Sequence, residues 1–180
     1  MKLESQRLQL LEINWSDLDD IHRLHSFPAV DEFNTIGIPR DRLETEELIR
    51  PAIEEQTDKP RKSYTWKIVL KDSGEFIGLA GFSLSLDKFR LGEIYYKLLP
   101  AQWGHGYATE VAKRLIKAGF EDFHLHKVEA GVATENIKSI HVLEKCGMVR
   151  EGLRRKILPI RGKWIDNYHY AILEDDPLKE

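Results

Sequence analysis

The residues best suited to chemistry lie between Glu93 and Gly147, around Gln102-Trp103-Gly104-His105-Gly106-Tyr107-Ala108-Thr109-Glu110. An alternating apolar run, Ile94 to Leu99, ends at Pro100, and a long helical pattern begins after the glycines. The stretch therefore reads as strand, tight turn, helix. The first N–H groups of a helix have no intrahelical partner, and glycine leaves the backbone bare where they point. With the positive end of the helix dipole added, such a turn suits an anion, above all a phosphate.

Further groups stand near this turn. Glu93 opens the preceding strand and reads, on its own, as an exposed strand-end carboxylate. Asn136 and Ser139 begin a later helix, where they suit capping. His105 and His141 are of the right type for acid–base work. The first reads more simply as a loop residue in solvent and the second as a helix-face residue. His22 and His25 stand three residues apart on one helix, close enough to share a metal, but no further ligand follows at a zinc-motif spacing. They read as solvent-face histidines, and no metal is expected. Cys146 is the only cysteine, so no internal disulfide forms, and the residue suits a packing role near a helix end.

The elements that must position these groups follow from period and punctuation. A first strand spans Arg7 to Ile13, and Ser16 or Asp17 then caps a helix carrying Leu18, Ile21 and Leu24. After Phe27-Pro28 and a loop through Gly37 and Pro39, a second helix presents Leu43, Leu48, Ala52 and Ile53, with Pro51 as a kink or restart. Its glutamates read as a solvated face, or as an attraction for a cationic amine. Tyr64–Leu70 and Phe76–Phe82 form a hairpin around Lys71–Glu75. A connector from Asp87 to Gly92 leads to the strand before the glycine turn. The helix after the turn carries Ala108, Val111, Ala112, Leu115, Ile116, Gly119, Phe120 and Phe123 on one stripe. Lys127–Ala133 is a strand reached by a right-handed crossover. The helix from Asn136 ends at Gly147. Strands around Met148–Gly152 and Trp164–Leu173 close the chain around the turn Arg161-Gly162-Lys163.

The 180 residues suit a single domain, 1–180, and 42% hydrophobic with 32% charged residues is a globular composition. No apolar run reaches the length of a bilayer span, and no secretory signal opens the chain. A cytoplasmic protein without membrane partners is expected, as a monomer or homodimer. A net charge of −3 and the lack of a basic stripe with interleaved aromatics argue against direct nucleic-acid binding.

Three phosphate motifs compete for the turn. A P-loop needs a Gly-Lys-Ser/Thr end that is absent here. A dinucleotide fingerprint needs a third small residue where Thr109 stands, and repeated strand–helix units where this chain has hairpins. The third candidate fits. Trp103 to Glu110, followed by Glu135-Asn136-Ile137-Lys138-Ser139-Ile140-His141-Val142-Leu143-Glu144-Lys145-Cys146-Gly147-Met148, resembles the GNAT superfamily of acyl-CoA-dependent N-acetyltransferases, in particular its RimJ/RimL-like branch. The likeness extends to Glu4-Ser5-Gln6-Arg7-Leu8 at one end. At the other it takes in Gly152-Leu153-Arg154 and Gly162-Lys163-Trp164-Ile165-Asp166.

This resemblance implies an α/β (α+β) fold with a central, mixed, mostly antiparallel sheet, splayed at the cofactor site and flanked by helices on both faces. It implies acetyl-CoA as cofactor, with pyrophosphate on Gly104, His105, Gly106, Tyr107, Ala108 and Thr109. The pantetheine arm would lie along Leu98 and Leu99, with Asn136 and Ser139 approaching from the far helix. A neutral amine would attack the thioester, backbone N–H near Leu99 would polarise its carbonyl, Glu93 would be the base, and Ser139 would stabilise the thiolate. The acceptor is a protein N-terminus, as in ribosomal-protein acetylation, or a small-molecule amine. Neutralising a lysine amine at pH 7 costs roughly 4 to 5 kcal/mol and an α-amine only about 1, so an N-terminal substrate needs a weaker base. The sequence departs from family patterns at Leu143, where other branches carry a tyrosine acid. It departs again at Trp103, at Tyr95 in place of a usual glycine, and at Lys97 in place of a frequent tryptophan. The missing tyrosine keeps open a non-catalytic acyl-CoA-binding or regulatory module on the same fold.

Overall fold

A computed structural model describes residues 1–85 and 88–178; the start of the connector at Asp87 lies outside them. Strands β1 (Lys2–Glu4), β2 (Leu8–Glu12), β3 (Ser63–Leu70), β4 (Phe76–Leu84), β5 (Leu91–Leu98), β6 (Lys127–Ala133), β7 (Val149–Ile160) and β8 (Lys163–Leu173) form one eight-stranded sheet. Its order is β1-β2-β3-β4-β5-β6-β8-β7. Helices α1 (Leu18–His25), α2 (Pro28–Asp31), α3 (Arg42–Glu54), α4 (Tyr107–Glu121) and α5 (Ile137–Lys145) cover it. Every neighbouring pair is antiparallel except β5 and β6, joined through α4 as the single strand–helix–strand unit demands.

The two faces bury separate clusters. α4 buries Val111, Ala112, Leu115 and Ile116 against Ile68, Ile77, Phe82, Ile94 and Val128. Each large aliphatic among them contributes roughly 1.5–3 kcal/mol by leaving water. On the opposite face Ile13, Leu18, Ile21 and Leu24 pack with Ile49, Phe76, Leu79 and Leu99. The sheet between them is not continuous. β5 and β6 pair only at Leu91/Lys127, Gly92/Val128 and Glu93/Glu129. Beyond that point β5 stays with β4 to Leu98 and β6 stays with β8 to Ala133. The strands part there and leave a fork.

Four elements differ from the sequence expectation. The expected first strand is β2, and a further short strand, β1, precedes it and folds back on it. Asp17 is the N-cap of α1 as expected but makes no side-chain cap bond there; the short 3-10 turn before it is capped by Asn14, whose side chain accepts from the Ser16 N–H. Asp17 returns a bond to the Asn14 N–H at 2.9 Å and pairs with Lys67 at 2.6 Å, so it holds the turn to β3. On α3 the buried face is Thr45 and Ile49, whereas Leu43 and Leu48 are 62% and 40% exposed. The helix is rotated because the Thr45 hydroxyl meets His22 Nδ1 at 2.7 Å across the α1–α3 contact. Pro51 lies inside this helix. Finally, β7 runs on to Ile160 as half of an arm exposed over most of its length, closed by Arg161 and Gly162 at positive φ. Arg161 ties the arm tip to Asp31 of α2 at 3.2 Å.

Candidate functional site

Gly104 and Gly106 have φ of 81° and 79°, the left-handed region that L side chains disfavour. A Cβ built on Gly104 meets nothing within 4 Å, so handedness rather than space calls for glycine there. Gly106 is the N-cap of α4 and offers no capping side chain, which leaves the N–H groups of Tyr107, Ala108 and Thr109 for a ligand. Glu110, also in the first turn, would oppose an anion if it were free. Instead it accepts from Ser5 Oγ, the Arg7 N–H and Arg7 Nε, each at 2.7 Å. Burial pushes its carboxyl up, but the bonds from Ser5 and Arg7 outweigh that and hold it below the usual carboxylate range. Arg7 also donates to the His105 carbonyl at 3.0 Å and stacks 4.5 Å over the Tyr107 ring. His105 is exposed, with Nδ1 3.0 Å from the Trp103 carbonyl and its ring stacked on Tyr107. It braces the loop.

At the fork the strand geometry selects which backbone groups are open. The Leu99 N–H donates to the Ile77 carbonyl at 2.9 Å, and the Ser85 N–H to Leu91. Odd-numbered residues of β5 therefore point their backbone groups at β4. By alternation Ile94, Tyr96 and Leu98 point theirs toward the side from which β6 has departed. This corrects the expectation for Leu99, whose N–H is committed. The Leu98 carbonyl accepts from Trp103 Nε1 at 2.9 Å, so the aromatic at that position fixes the end of β5.

From the far side comes α5. Asn136 is its N-cap, with Oδ1 accepting from the Ser139 N–H at 3.2 Å. Ser139 Oγ lies 3.0 Å from the Tyr96 hydroxyl, a partner that the sequence reading missed. The signal was present in the alternation: Tyr96 shares a face with the buried Ile94 and Leu98. Burial pushes the Tyr96 phenol up, partly offset by the bond to Ser139. Leu143 is buried in the core, and Cys146 packs there with its Sγ 3.8 Å from the Thr109 carbonyl. Burial raises that thiol to about 11, which makes it inert. His141 is exposed at the cavity rim.

One cavity of about 1400 Å³ joins these parts. It runs from Gly104, Gly106 and the first turn of α4 past Leu98, Asn136 and Ser139, and reaches Tyr95, Lys97 and His25 on the α1–α3 side. Glu93 is exposed at the base of the fork and is not among the wall residues. Its Oε1 lies 3.3 Å from where a Gly131 Cβ would sit. Tyr95 reaches Thr65 Oγ1 at 3.1 Å with its ring lying against Gly81, where a Cβ would fall 2.0 Å from it. A residue unusual for the family's strand motif is thus accommodated by a glycine opposite. His22 and His25 do not share a solvent face. His22 bonds Thr45, while His25 is 5% exposed with Nε2 3.5 Å from Lys97 Nζ. Burial, then Lys97 and His22, push His25 down to about 3. Burial also pushes Lys97 down to about 8, against an upward pull from Asp31. Glu129, Glu151 and His169 gather elsewhere, but Lys127 lies 2.6 Å from Glu151 and 3.6 Å from Glu129 and supplies their cation.

This arrangement fits one cofactor well. Unpartnered N–H groups at a glycine loop suit a pyrophosphate, and an unpaired β5 edge suits an amide-bearing arm. Lys138, Lys145 and His141 beside them suit a further phosphate. Residues 7–149 match the family model described as an acetyltransferase (GNAT) domain. The uncharacterized N-acetyltransferase p20 of Bacillus licheniformis is 30% identical over 176 residues, covering 96% of each chain. A spermidine N-acetyltransferase from Vibrio cholerae, solved with CoA and spermine, superposes with a TM-score of 0.81 at 25% identity, over 94% of this chain and 97% of that one. Mycobacterium smegmatis RimJ shares the fold at a TM-score of 0.87 and 21% identity, over 96% and 87%. The chain belongs to the GNAT family of acetyl-CoA-dependent N-acetyltransferases, and acetyl-CoA is the donor that its glycine loop and forked strands accommodate.

Proposed function

We propose that the whole chain, residues 1–180, works as one catalytic unit that acetylates a primary amine entering from the α1–α3 side. The observation that carries this reading is the single cavity leading from the glycine loop through the fork to Lys97 and His25. In this reading Gly104, Gly106, Tyr107, Ala108 and Thr109 hold the pyrophosphate while His105 braces their loop. The N–H of Leu98, whose carbonyl is taken by Trp103, holds the arm. Asn136 sets the start of α5 so that Ser139, with Tyr96, hydrogen-bonds the departing sulfur. Tyr96 gives the site a phenol that Leu143 does not. Glu93, outside the cavity wall, acts as base through water. The acceptor is the α-amine of a protein N-terminus or the amine of a small molecule, and the lower its pKa the less it asks of so distant a base.

The test is to incubate the protein with acetyl-CoA and a panel of amines and N-terminal peptides, following release of free thiol. Amine-dependent thiol release is the expected result. Tight CoA binding with no amine-dependent release would replace this reading with the non-catalytic acyl-CoA-binding module.

A further inference from the structure

The acceptor half of the cavity contains a cation with which no carboxylate of the described residues pairs. Lys97 lines the wall from β5, and among the described residues it makes no ion pair. Among the described residues its ammonium lies 6.0 Å over the Tyr95 ring and meets His25 Nε2 at 3.5 Å. Since an ammonium only donates, that nitrogen is the acceptor and the ring proton sits on Nδ1, which is buried without a partner. His25 is thus neutral and adds no negative charge. Asp31, the acid that Lys97 senses, meets Arg161 through Oδ2 at 3.2 Å and leaves Oδ1 buried without a partner, but it forms no ion pair with Lys97. Of the other carboxylates in the wall, Glu32 is exposed, Glu55 accepts from the Ser63 hydroxyl, and Glu135 stands at the cofactor end. An ammonium withdrawn from water without a counter-charge is destabilising, and a ligand bringing the missing anion removes that penalty.

We propose that the acceptor amine carries a carboxylate, and that Lys97 receives this carboxylate at the α1–α3 end while the amine points to the fork. The proposal rests on the acetyl-transfer reading above and narrows its substrate to a zwitterion of amino-acid type. Lys97 and Glu93 share one face of β5 four residues apart, about 13 Å along the strand, which bounds the separation of the substrate's two charged ends. Wall residues around Lys97, among them Ile49, Ala52, Leu79 and Leu158, suit an aliphatic spacer. A polyamine would place a second ammonium against Lys97, where like charges repel in a half-dry site.

The experiment uses ω-amino acids of increasing length, each with its carboxamide, and spermidine as the cationic contrast. Binding to the CoA-saturated protein is read by calorimetry, and acetylation is read separately by thiol release. One length of amino acid should bind at least about tenfold more tightly than its carboxamide, as a charge-assisted hydrogen bond requires. Lys97→Met should abolish that difference without weakening CoA binding, and Lys97→Arg should restore part of it. Equal binding of acid and amide, absence of binding by either, or a preference that survives Lys97→Met overturns the carboxylate subsite. The two readings fail separately. Selective binding without acetylation removes the transfer reaction and keeps this subsite, and acetylation of amines without acid–amide selectivity removes only the subsite.

Discussion

Lys97 is a side chain whose placement works against the fold. Burial lowers its pKa from 10.5 to about 8, so between those values the unfolded chain binds a proton that the native state does not. Stability contributed at this position therefore rises with pH through that window, and below pH 8 the buried ammonium is a net cost. Lys97→Met should stabilise the apo protein at pH 7 by about 1–3 kcal/mol, a gain that shrinks as the pH approaches 10.5. Denaturant midpoints at several pH values measure this, and a gain independent of pH would mean that burial of charge is not its cause. His25 works in the same direction at lower pH. Its folded value near 3 against 6.5 makes stability fall as the pH drops below 6.5, as the unfolded chain takes up the proton. At the other end of the cavity, Gly104→Ala isolates a backbone effect, because the new methyl meets nothing within 4 Å. The left-handed φ should cost about 1–2 kcal/mol of stability, or appear as weakened CoA binding if the loop relaxes instead. An unchanged midpoint together with unchanged CoA affinity would show that the loop does not need that conformation.

At the scale of elements, the start of α5 separates a structural from a binding role. Asn136 caps this nine-residue helix through the Ser139 N–H, so Asn136→Ala should lower stability by about 1 kcal/mol and Asn136→Ser should recover most of it. If Asn136 only sets the helix, CoA affinity in the serine variant stays at the wild-type level; a loss there would mean that the amide itself touches the cofactor. The legibility of the elements followed their environment. Lys127–Ala133 and the body of the helix after the glycine turn were readable, because one alternates between its two faces and the other buries a regular stripe, although Phe123, expected on that stripe, lies past the helix end at Glu121. The arm of β7 was readable only to Gly152, since a strand exposed on both faces has no alternation to show. On α3 the leucines pointed to the wrong face because a hydroxyl, Thr45, was matched to a histidine on α1. In the site, the glycines and α5 residues carried local signatures. The Tyr96–Ser139 and Lys97–His25 pairs join residues 43 and 72 positions apart, and only the fold brings them together.

For the whole molecule, the fork sets how cofactor and sheet depend on each other. Five strands, β1 to β5, lie on one side and β6, β8 and β7 on the other, with three residue pairs joining them. Past Glu93 the open N–H groups of β5 have no strand opposite, so local opening there needs little free energy. A ligand that binds only the native state at about 100 times its dissociation constant stabilises it by roughly 2.7 kcal/mol. Where that stabilisation appears tells how the ligand is held. If the arm of CoA lies along β5, amide exchange at Ile94, Tyr96 and Leu98 should slow on binding. The interior of the β3–β4 ladder, already paired on both strands, should change only by the global increment. A cofactor gripped by the glycine loop alone would instead protect Tyr107, Ala108 and Thr109 and leave the fork as it was. Exchange measured with and without CoA distinguishes the two, and protection confined to α4 would refute the strand-like seating. Protection reaching both Leu98 and Gly131 would mean that the cofactor closes the sheet, coupling the acceptor wall on β5 to the helix that presents Ser139.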